Sequence, residues 1–324
     1  MSENQRAAPY TERLPVLGVP TTFESNEREV VELAAREYGA WRALMQTPSL
    51  LSGSRTVVRV LVEDRSMRSS GGRSEGGFAY TVREPHRMEV HGELGHGVAD
   101  ALRRQSLAHV EAELLEQPEM LVRGLLEPLT LFLLGPLDRV PLHAAGILRD
   151  GVGVVIAGRS GAGKSTLAYA ASRAGFSVLA DDPVYVQVEP GLRVWGRHAR
   201  VHLRPDAASL FPELGGLPPT ELPGGKRKLV VETAAGPRHA ERVGLCVLDR
   251  EPGQPAGLTP ISAAEAVSEL TARLDPGFDL FRDQIGDRVA RVAERGAWVL
   301  RPGSDPRAGV ALLQEAAAAI ASRP

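Results

Sequence analysis

Residues 158–166 read G-R-S-G-A-G-K-S-T and fit the phosphate-loop pattern G-x-x-x-x-G-K-[ST] at every position. Glycines in such a loop let backbone N–H groups turn inward around phosphate oxygens, where a side chain would block the approach. Lys164 would place a point charge on the β- and γ-phosphates, and the hydroxyl of Ser165 is a ligand suited to Mg²⁺. The loop therefore predicts a site for a nucleoside triphosphate.

The segments on either side of the loop fit this interpretation. Residues 152–157 form a short apolar run typical of a buried strand, and residues 165–175 read as an alanine-rich helix that ends on a glycine. The N-terminus of that helix adds a partial positive charge to the site. Upstream, residues 141–148 predict a second strand, and the intervening R-D-G predicts a tight turn. The loop is therefore expected to follow an antiparallel hairpin.

The composition is that of an ordinary globular chain. Of the 324 residues, 43% are hydrophobic and 24% charged, with a formal net charge of −2. Because there is no broad basic field, nucleic acid is not expected as the main partner. The single cysteine, Cys246, excludes an intramolecular disulfide and is expected to be a buried strand residue. No apolar run is long enough to predict a membrane helix and no signal peptide is evident, so a cytoplasmic enzyme is expected.

The length predicts two domains or one large one, and the sequence divides into two halves. Residues 1–138 predict a smaller α+β domain with a substrate-facing or adaptor role, which begins with a helix opened by a capping box at Asn26 and Glu29. The polar, Gly-rich segment 66–77 is expected to be a lid, a peptide-docking loop or an ordinary hairpin connection. The other elements expected in this half are strands at 55–62, 78–82 and 86–90 and helices at 107–115 and 121–134.

Residues 139–324 are expected to carry the chemistry. The predicted strand 176–180 ends on two adjacent carboxylates, Asp181 and Asp182. One of them could hold Mg²⁺ while the other takes a proton from an attacking hydroxyl, whereas a solvated D-D-P turn would need no function. The elements expected after the carboxylates are a strand at 243–249, helices at 263–274 and 278–294, a strand at 297–300 and a helix from Pro306.

Two features of this half have open interpretations. The segment G-G-K-R-K at 224–228 could close over phosphates or form a solvent-exposed basic turn. The strand that ends in Asp249 could be a Walker B strand of an ATPase or simply a core strand of the sheet.

The segments H-A-A-G-I-L-R-D-G-V-G-V-V-I-A-G-R-S-G-A-G-K-S-T and F-S-V-L-A-D-D-P-V closely resemble the catalytic domain of HPr serine kinase/phosphorylase. That family is related in fold to ATP-dependent phosphoenolpyruvate carboxykinase, and the strong resemblance covers about residues 142–188. It implies an α/β P-loop kinase domain with a mixed sheet. It also implies transfer of a phosphoryl group from ATP, with Mg²⁺, to a hydroxyl, usually of a serine in a protein.

The resemblance implies roles for three residues. His143 matches the family's histidine before the loop, which would lie near the phosphates and assist charge or proton handling. Asp181 matches the base toward the substrate hydroxyl, and Asp182 matches its neighbour in the metal and phosphate shell. Two ionised carboxylates so close together would need a bound Mg²⁺ to relieve their repulsion.

The chain also departs from the family. The E-x-R-G-x-G segment that follows the carboxylates is replaced by L-R-V-W-G-R-H-A-R-V-H-L-R-P. Its arginines, Arg197, Arg200 and Arg204, could supply positive charge to the transferring phosphoryl group or form a solvated strand face. The first half does not resemble the usual HPr kinase N-terminal domain. The closer kin are HPr-kinase-like enzymes outside sugar regulation, including those that phosphorylate ribosomally made peptides.

The sequence therefore predicts an ATP-dependent kinase acting on a serine or threonine hydroxyl of a protein or peptide, with a homo-oligomer as a further expectation. The alternatives are a small-molecule alcohol kinase of the same fold and a regulatory ATPase that uses Asp249. The candidate catalytic residues are Asp181, His143 and Lys164, and the candidate metal ligands are Ser165 and Asp182. The candidate nucleotide-binding residues are Gly158, Ser160, Gly161, Ala162, Gly163, Lys164, Ser165, Thr166, Arg200 and Lys226.

Overall fold

The computed structural model describes residues 8–63, 77–84, 86–197, 200–222, 226–234, 236–250, 253–272, 274 and 278–323. The chain is an α/β protein with mixed sheets and divides into two compact units, Met1–Leu137 (unit 1) and Asp138–Pro324 (unit 2). The boundary expected from the sequence lay one residue later. The segment 66–77 lies outside the described residues except for Gly77, and so do Gly224 and Gly225.

Unit 1 is built on a seven-stranded sheet. Its elements are β1 (Tyr10–Val16), β2 (Val19–Ser25), α1 (Arg28–Tyr38), β3 (Thr56–Glu63), β4 (Phe78–Glu84), β5 (Arg87–Gly92), β6 (Gly95–Asp100), β7 (Gln105–Glu111), α2 (Pro118–Leu121) and α3 (Glu127–Leu134), with a π-helical turn at Val122–Leu126 between the last two. The strand order is β1-β2-β3-β7-β6-β5-β4, with β3 parallel to β2 and β7 and the other pairs antiparallel. The three strands expected in this half are confirmed as β3, β4 and β5.

Two local predictions for unit 1 were wrong. The first part of the helix expected at 107–115 is the strand β7, because burial alternates along it at Ser106, Ala108 and Val110, a period of two, and only the 3₁₀ turn Ala112–Glu116 that follows is helical. The capping box is absent as well, since α1 begins after Glu27 with no side-chain cap. The side chain of Asn26 instead bonds the backbone N–H and C=O of Val62 on β3. In both places, contacts with distant segments of the chain outweigh the local sequence pattern.

The apolar helix expected at 121–134 is confirmed as the continuous stretch Pro118–Leu137. Its 20 residues have a mean hydropathy of 1.5, so by length and composition alone the stretch could cross a membrane. This corrects the expectation that no apolar run is long enough. Half of its most apolar window is buried, and α3 packs on β3, β6 and β7, which is how the core helix of a globular unit behaves.

Unit 2 contains three further sheets. Its strands are β8 (Val140–Leu142), β9 (Ala144–Arg149), β10 (Val152–Ala157), β11 (Ser177–Ala180), β12 (Val184–Gln187), β13 (Arg193–Trp195), β14 (Arg200–Leu203), β15 (Thr220–Leu222), β16 (Lys226–Glu232), β17 (His239–Ala240), β18 (Arg242–Leu248), β19 (Gly257–Ile261) and β20 (Ala297–Arg301). Its helices are α4 (Lys164–Arg173), α5 (Ala263–Thr271), α6 (Arg282–Ala293) and α7 (Pro306–Ser322).

The central sheet of unit 2 has six strands in the order β11-β9-β10-β18-β20-β19. It is mixed, because β10, β18 and β20 run parallel while β9, β11 and β19 run antiparallel to their neighbours. The predicted hairpin before the loop is confirmed as β9–β10. Beside this sheet are a four-stranded sheet, β17-β13-β12-β8, and a three-stranded sheet, β14-β16-β15.

The central sheet is buried on both faces. Along β10, Val154 and Ile156 pack against α4 and α7 on one face, while Val155 and Ala157 face a second core that includes α6. All six residues of β10 are buried, which explains why its sequence is a continuous apolar run. Cys246 on β18 is fully buried as expected, and burial raises the pKa of its thiol to about 12.

Candidate functional site

The topology of unit 2 brings His143 beside the two aspartates. The chain passes from β8 to β9 at His143, and it passes from β11 to β12 at residues 181–183. β8 pairs with β12 through Leu142 and Val184, whereas β9 pairs with β11 through Gly146 and Ala180. Both passages between the two sheets therefore occur at the same place, which makes the histidine and the carboxylates neighbours.

The phosphate-loop residues form the turn between β10 and α4. The last residue of β10, Ala157, lies opposite Ala144 on β9, so the loop starts next to His143. Gly163 precedes the first residue of α4 with φ +104, a left-handed conformation that favours glycine. Gly158 approaches β18 so closely that a Cβ there would lie 3.0 Å from the carbonyl oxygen of Leu248. These glycines are therefore required by the backbone path of the loop.

The side chain of Lys164 turns back into the loop. Its Nζ donates to the carbonyl oxygens of Gly158 at 2.9 Å and Arg159 at 3.3 Å, and it lies 2.6 Å from Nε2 of His143. Lys164 is only 6% exposed although it carries a charge. A buried ammonium needs such acceptors to offset the loss of water. Ser165 and Thr166, which follow in the first turn of α4, are half-buried.

His143 joins Lys164 to Asp182. Nδ1 of the ring lies 3.0 Å from Oδ2 of Asp182, on the side of the imidazole opposite the lysine contact. A lysine ammonium only donates, so Nε2 must be the acceptor, and we assign the proton to Nδ1, where the carboxylate accepts it. The three side chains then form one hydrogen-bonded chain from the carboxylate to the phosphate loop.

Asp181 and Asp182 occupy different environments. Oδ2 of Asp181 accepts the backbone N–H of His202 at 2.6 Å, while Oδ1 is buried and has no hydrogen-bond partner among the described residues. The Asp181 side chain is 3% exposed, whereas that of Asp182 is 30% exposed. An unpartnered buried carboxylate oxygen is costly, so Oδ1 is an atom that a donor or a cation would stabilise.

The backbone at Asp182 is strained. Its φ is +111, a value that non-glycine residues rarely adopt and that costs on the order of 1–3 kcal/mol. Such residues cluster at functional sites, where the surrounding structure fixes a side chain in an unusual direction. The contact between Asp182 and His143 is one feature that depends on this direction.

The side of the loop next to β18 carries Arg250, a residue that the sequence analysis did not identify. β18 runs parallel to β10, so the residues after Leu248 lie at the same edge of the sheet as the loop. There a Cβ on Gly163 would lie 3.3 Å from Nη1 of Arg250, an exposed arginine. Oδ2 of Asp249 accepts a hydrogen bond from Nε of Arg301 at 3.0 Å. The signal that could have identified Arg250 is the parallel pairing of β18 with β10, because the carboxyl ends of parallel strands meet at one edge of a sheet.

Two predicted phosphate-binding cations have other surroundings. The guanidinium of Arg200, on β14, hydrogen-bonds the carboxylate of Glu232 on β16. Lys226 is exposed at the first position of β16. Among the described residues, neither side chain forms a hydrogen bond or ion pair with the loop, whereas the backbone of β14 reaches the site through the N–H of His202.

The oxygen groups near the loop fit Mg²⁺ better than a metal ion that is coordinated only by protein side chains. Within the part of the chain that the structure describes, no three histidine, cysteine, aspartate or glutamate side chains are grouped to hold one ion. Mg²⁺ is usually bound by one or two protein oxygens together with water and substrate phosphates. Ser165 and Asp182 are of the type that this requires, and a half-exposed hydroxyl and carboxylate leave room for water.

No protein-family model and no curated protein matches this chain. Among solved structures, it is similar to the HPr(Ser) kinase/phosphatase from Coxiella burnetii, with 16% identity over 37% of this chain and 76% of that one. The TM-score of that match is 0.26. At so low a TM-score the likeness carries no argument for the fold or the activity.

Proposed function

We propose that this chain is an ATP-dependent phosphotransferase that moves the γ-phosphate to a serine or threonine hydroxyl of a protein or peptide. The observation that carries the proposal is the chain of contacts from Asp182 through His143 to Lys164, beside a complete phosphate-loop sequence. A distant relationship to the HPr kinase catalytic domain is part of the proposal, and it rests on the sequence segments around these residues. A substrate-facing or adaptor role for unit 1 is part of the same proposal.

The proposed reaction is an in-line displacement. The acceptor oxygen bonds to the γ-phosphorus while the bond from that phosphorus to the bridging oxygen breaks, so that ADP leaves with the bridging oxygen. The hydroxyl proton passes to Asp181, whose Oδ1 lacks a donor among the described residues. Loop N–H groups and Lys164 bind the phosphates and stabilise the developing charge. Mg²⁺, when bound at Ser165 and Asp182, supplies further neutralisation of the phosphate oxygens.

The Asp249–Arg301 contact argues against the ATPase alternative. In a Walker B site the carboxylate after the strand serves the metal. Here the guanidinium of Arg301 already neutralises Asp249 at 3.0 Å. Asp181, by contrast, presents an oxygen without a partner among the described residues. The carboxylate better suited to act on a bound substrate is therefore Asp181.

The acceptor class is tested by the fate of labelled phosphate. Purified protein is incubated with γ-labelled ATP, Mg²⁺ and a lysate separated into macromolecular, peptide and small-molecule fractions, beside the Lys164→Met variant. The proposal predicts acid-stable label on a protein or peptide with wild type only. Label on a small alcohol instead would mean that the protein is a kinase whose acceptor is a small molecule. Label that never leaves ATP or free phosphate would contradict transfer.

A further inference from the structure

The ammonium of Lys164 is bound by groups of the chain itself. Its acceptors include the carbonyls of Gly158 and Arg159 and the ring of His143. The shortest of these contacts, at 2.6 Å, is the one to His143. A nucleotide phosphate can contact the ammonium only in competition with these groups.

His143 is held in the orientation that makes it an acceptor. Asp182 accepts the proton on Nδ1, so the lone pair of Nε2 points at the lysine. The ring of Phe278 packs against the imidazole edge-to-face, with ring centroids 5.3 Å apart. Rotation of the ring would break the carboxylate contact and disturb this packing. The contacts with Asp182 and Phe278 therefore fix the orientation in which Nε2 of His143 accepts from Lys164.

We propose that His143 and Asp182 act as a latch that withholds Lys164 from the phosphate site until a nucleotide displaces it. This inference rests on the proposed function, since it concerns how that site admits its nucleotide. His143 is then a positioning residue for the lysine, and Asp182 is a positioning residue that acts through His143. Entry of the β- and γ-phosphates would transfer the ammonium from Nε2 to phosphate oxygens, which leaves Nε2 facing the reacting groups.

The latch predicts the direction in which the nucleotide affinity changes when the acceptor is removed. If only a fraction of molecules has Lys164 available, the apparent dissociation constant of the nucleotide is raised by the reciprocal of that fraction. Removing the acceptor at residue 143 should therefore tighten nucleotide binding. If His143 served mainly to contact the phosphates, its removal would weaken binding. The two roles thus predict opposite changes in one measured quantity.

The test is titration of ATP into wild type and the His143→Leu and His143→Gln variants, with EDTA present. Without a divalent cation, a metal-binding role of Asp182 does not contribute to the measured affinity. Leucine removes the acceptor, whereas the glutamine amide oxygen can reach the place of Nε2 and keep it. We expect about tenfold tighter binding for His143→Leu, the lower end of what one hydrogen bond to a charged group contributes, and little change for His143→Gln.

The titration needs a check on folding and a control substitution. Thermal unfolding of each variant checks that it is folded, and His91→Leu, an exposed histidine on β5 in unit 1, serves as the control substitution.

Three outcomes separate the latch from the proposed function. Tighter binding by His143→Leu, but not by His143→Gln, supports the latch. Weaker or unchanged binding by His143→Leu, in a protein whose wild type binds ATP, overturns the latch and leaves the proposed function standing. Absence of ATP binding by the folded wild type, with and without Mg²⁺, overturns both.

Discussion

Arg250 lies over Gly163, so that a Cβ added to the glycine would come within 3.3 Å of Nη1 of the arginine. Gly163 is the residue from which α4 starts, and the first N–H groups of that helix point toward the space that a phosphate would occupy. An exposed guanidinium beside those groups increases the positive charge on one side of the loop. His143 and Lys164 belong to the other side.

Gly163→Ala should damage the loop without removing any functional group. The residue has φ +104, so an alanine there is strained by about 1–2 kcal/mol in addition to its contact with Arg250. We expect a lower melting temperature and weaker ATP binding. Gly216→Ala is the matched control in the same unit, because a Cβ there meets nothing within 4 Å and its φ is not positive. Equal effects of the two substitutions would contradict the role assigned to Gly163.

Arg250→Ala should weaken binding of ATP by about tenfold, the effect of losing a hydrogen bond between charged groups. AMP, which lacks the β- and γ-phosphates, should be affected less if Arg250 contacts those groups. Calorimetric titration of the two nucleotides measures the difference. Arg242→Ala is the control, since Arg242 is exposed at the opposite end of β18. An equal loss of affinity for ATP and AMP would show that Arg250 does not contact the terminal phosphates.

His239 should make unit 2 less stable as the pH falls. Burial lowers the pKa of this imidazole below its usual 6.5, and Arg193 lowers it further, while Glu241 opposes the shift. Its ring packs on Trp195, with centroids 5.1 Å apart. A histidine whose pKa is lower when folded binds protons more readily when unfolded, so its contribution to stability is present above pH 6.5 and is lost as the pH falls toward the folded-state pKa.

The corresponding measurement is urea unfolding of wild type and His239→Gln at pH 7.5 and pH 5.5, with a probe in unit 2 such as Trp195 fluorescence. Glutamine does not titrate, so the variant should lose less stability between the two values. Other titrating groups contribute equally to both proteins and cancel in the comparison. An unchanged difference between the two pH values in the variant would exclude His239 as a source of the acid sensitivity.

Much of unit 2 could be predicted from the sequence because its strongest signals are local. The predicted strand at 152–157 has the observed bounds of β10, since a continuous apolar run between a turn and a glycine loop leaves few alternatives. The closeness of His143 to the two aspartates followed from the resemblance, and the structure gives its cause in the passage of the chain between two sheets at both places.

The rest depended on contacts between distant segments. β7 was misread as a helix because Leu107, Leu114 and Leu115 also fit helical spacing, whereas pairing with β3 and β6 decides the outcome. The partner of Asn26 is a strand 36 residues away, which no local pattern reveals. Arg250 was missed because its place beside the loop depends on the parallel pairing of β18 with β10.

The central claim, that Asp181 serves a phosphoryl transfer, is tested most directly by following γ-labelled phosphate with wild type, Asp181→Asn and Asp249→Asn. The account predicts that wild type labels a hydroxyl acceptor, that Asp181→Asn loses transfer by about 100-fold or more, as expected for removal of a general base, and that Asp249→Asn retains most of it. Label released only as free phosphate, unchanged in Asp181→Asn and abolished in Asp249→Asn, would contradict the account and identify an ATPase instead.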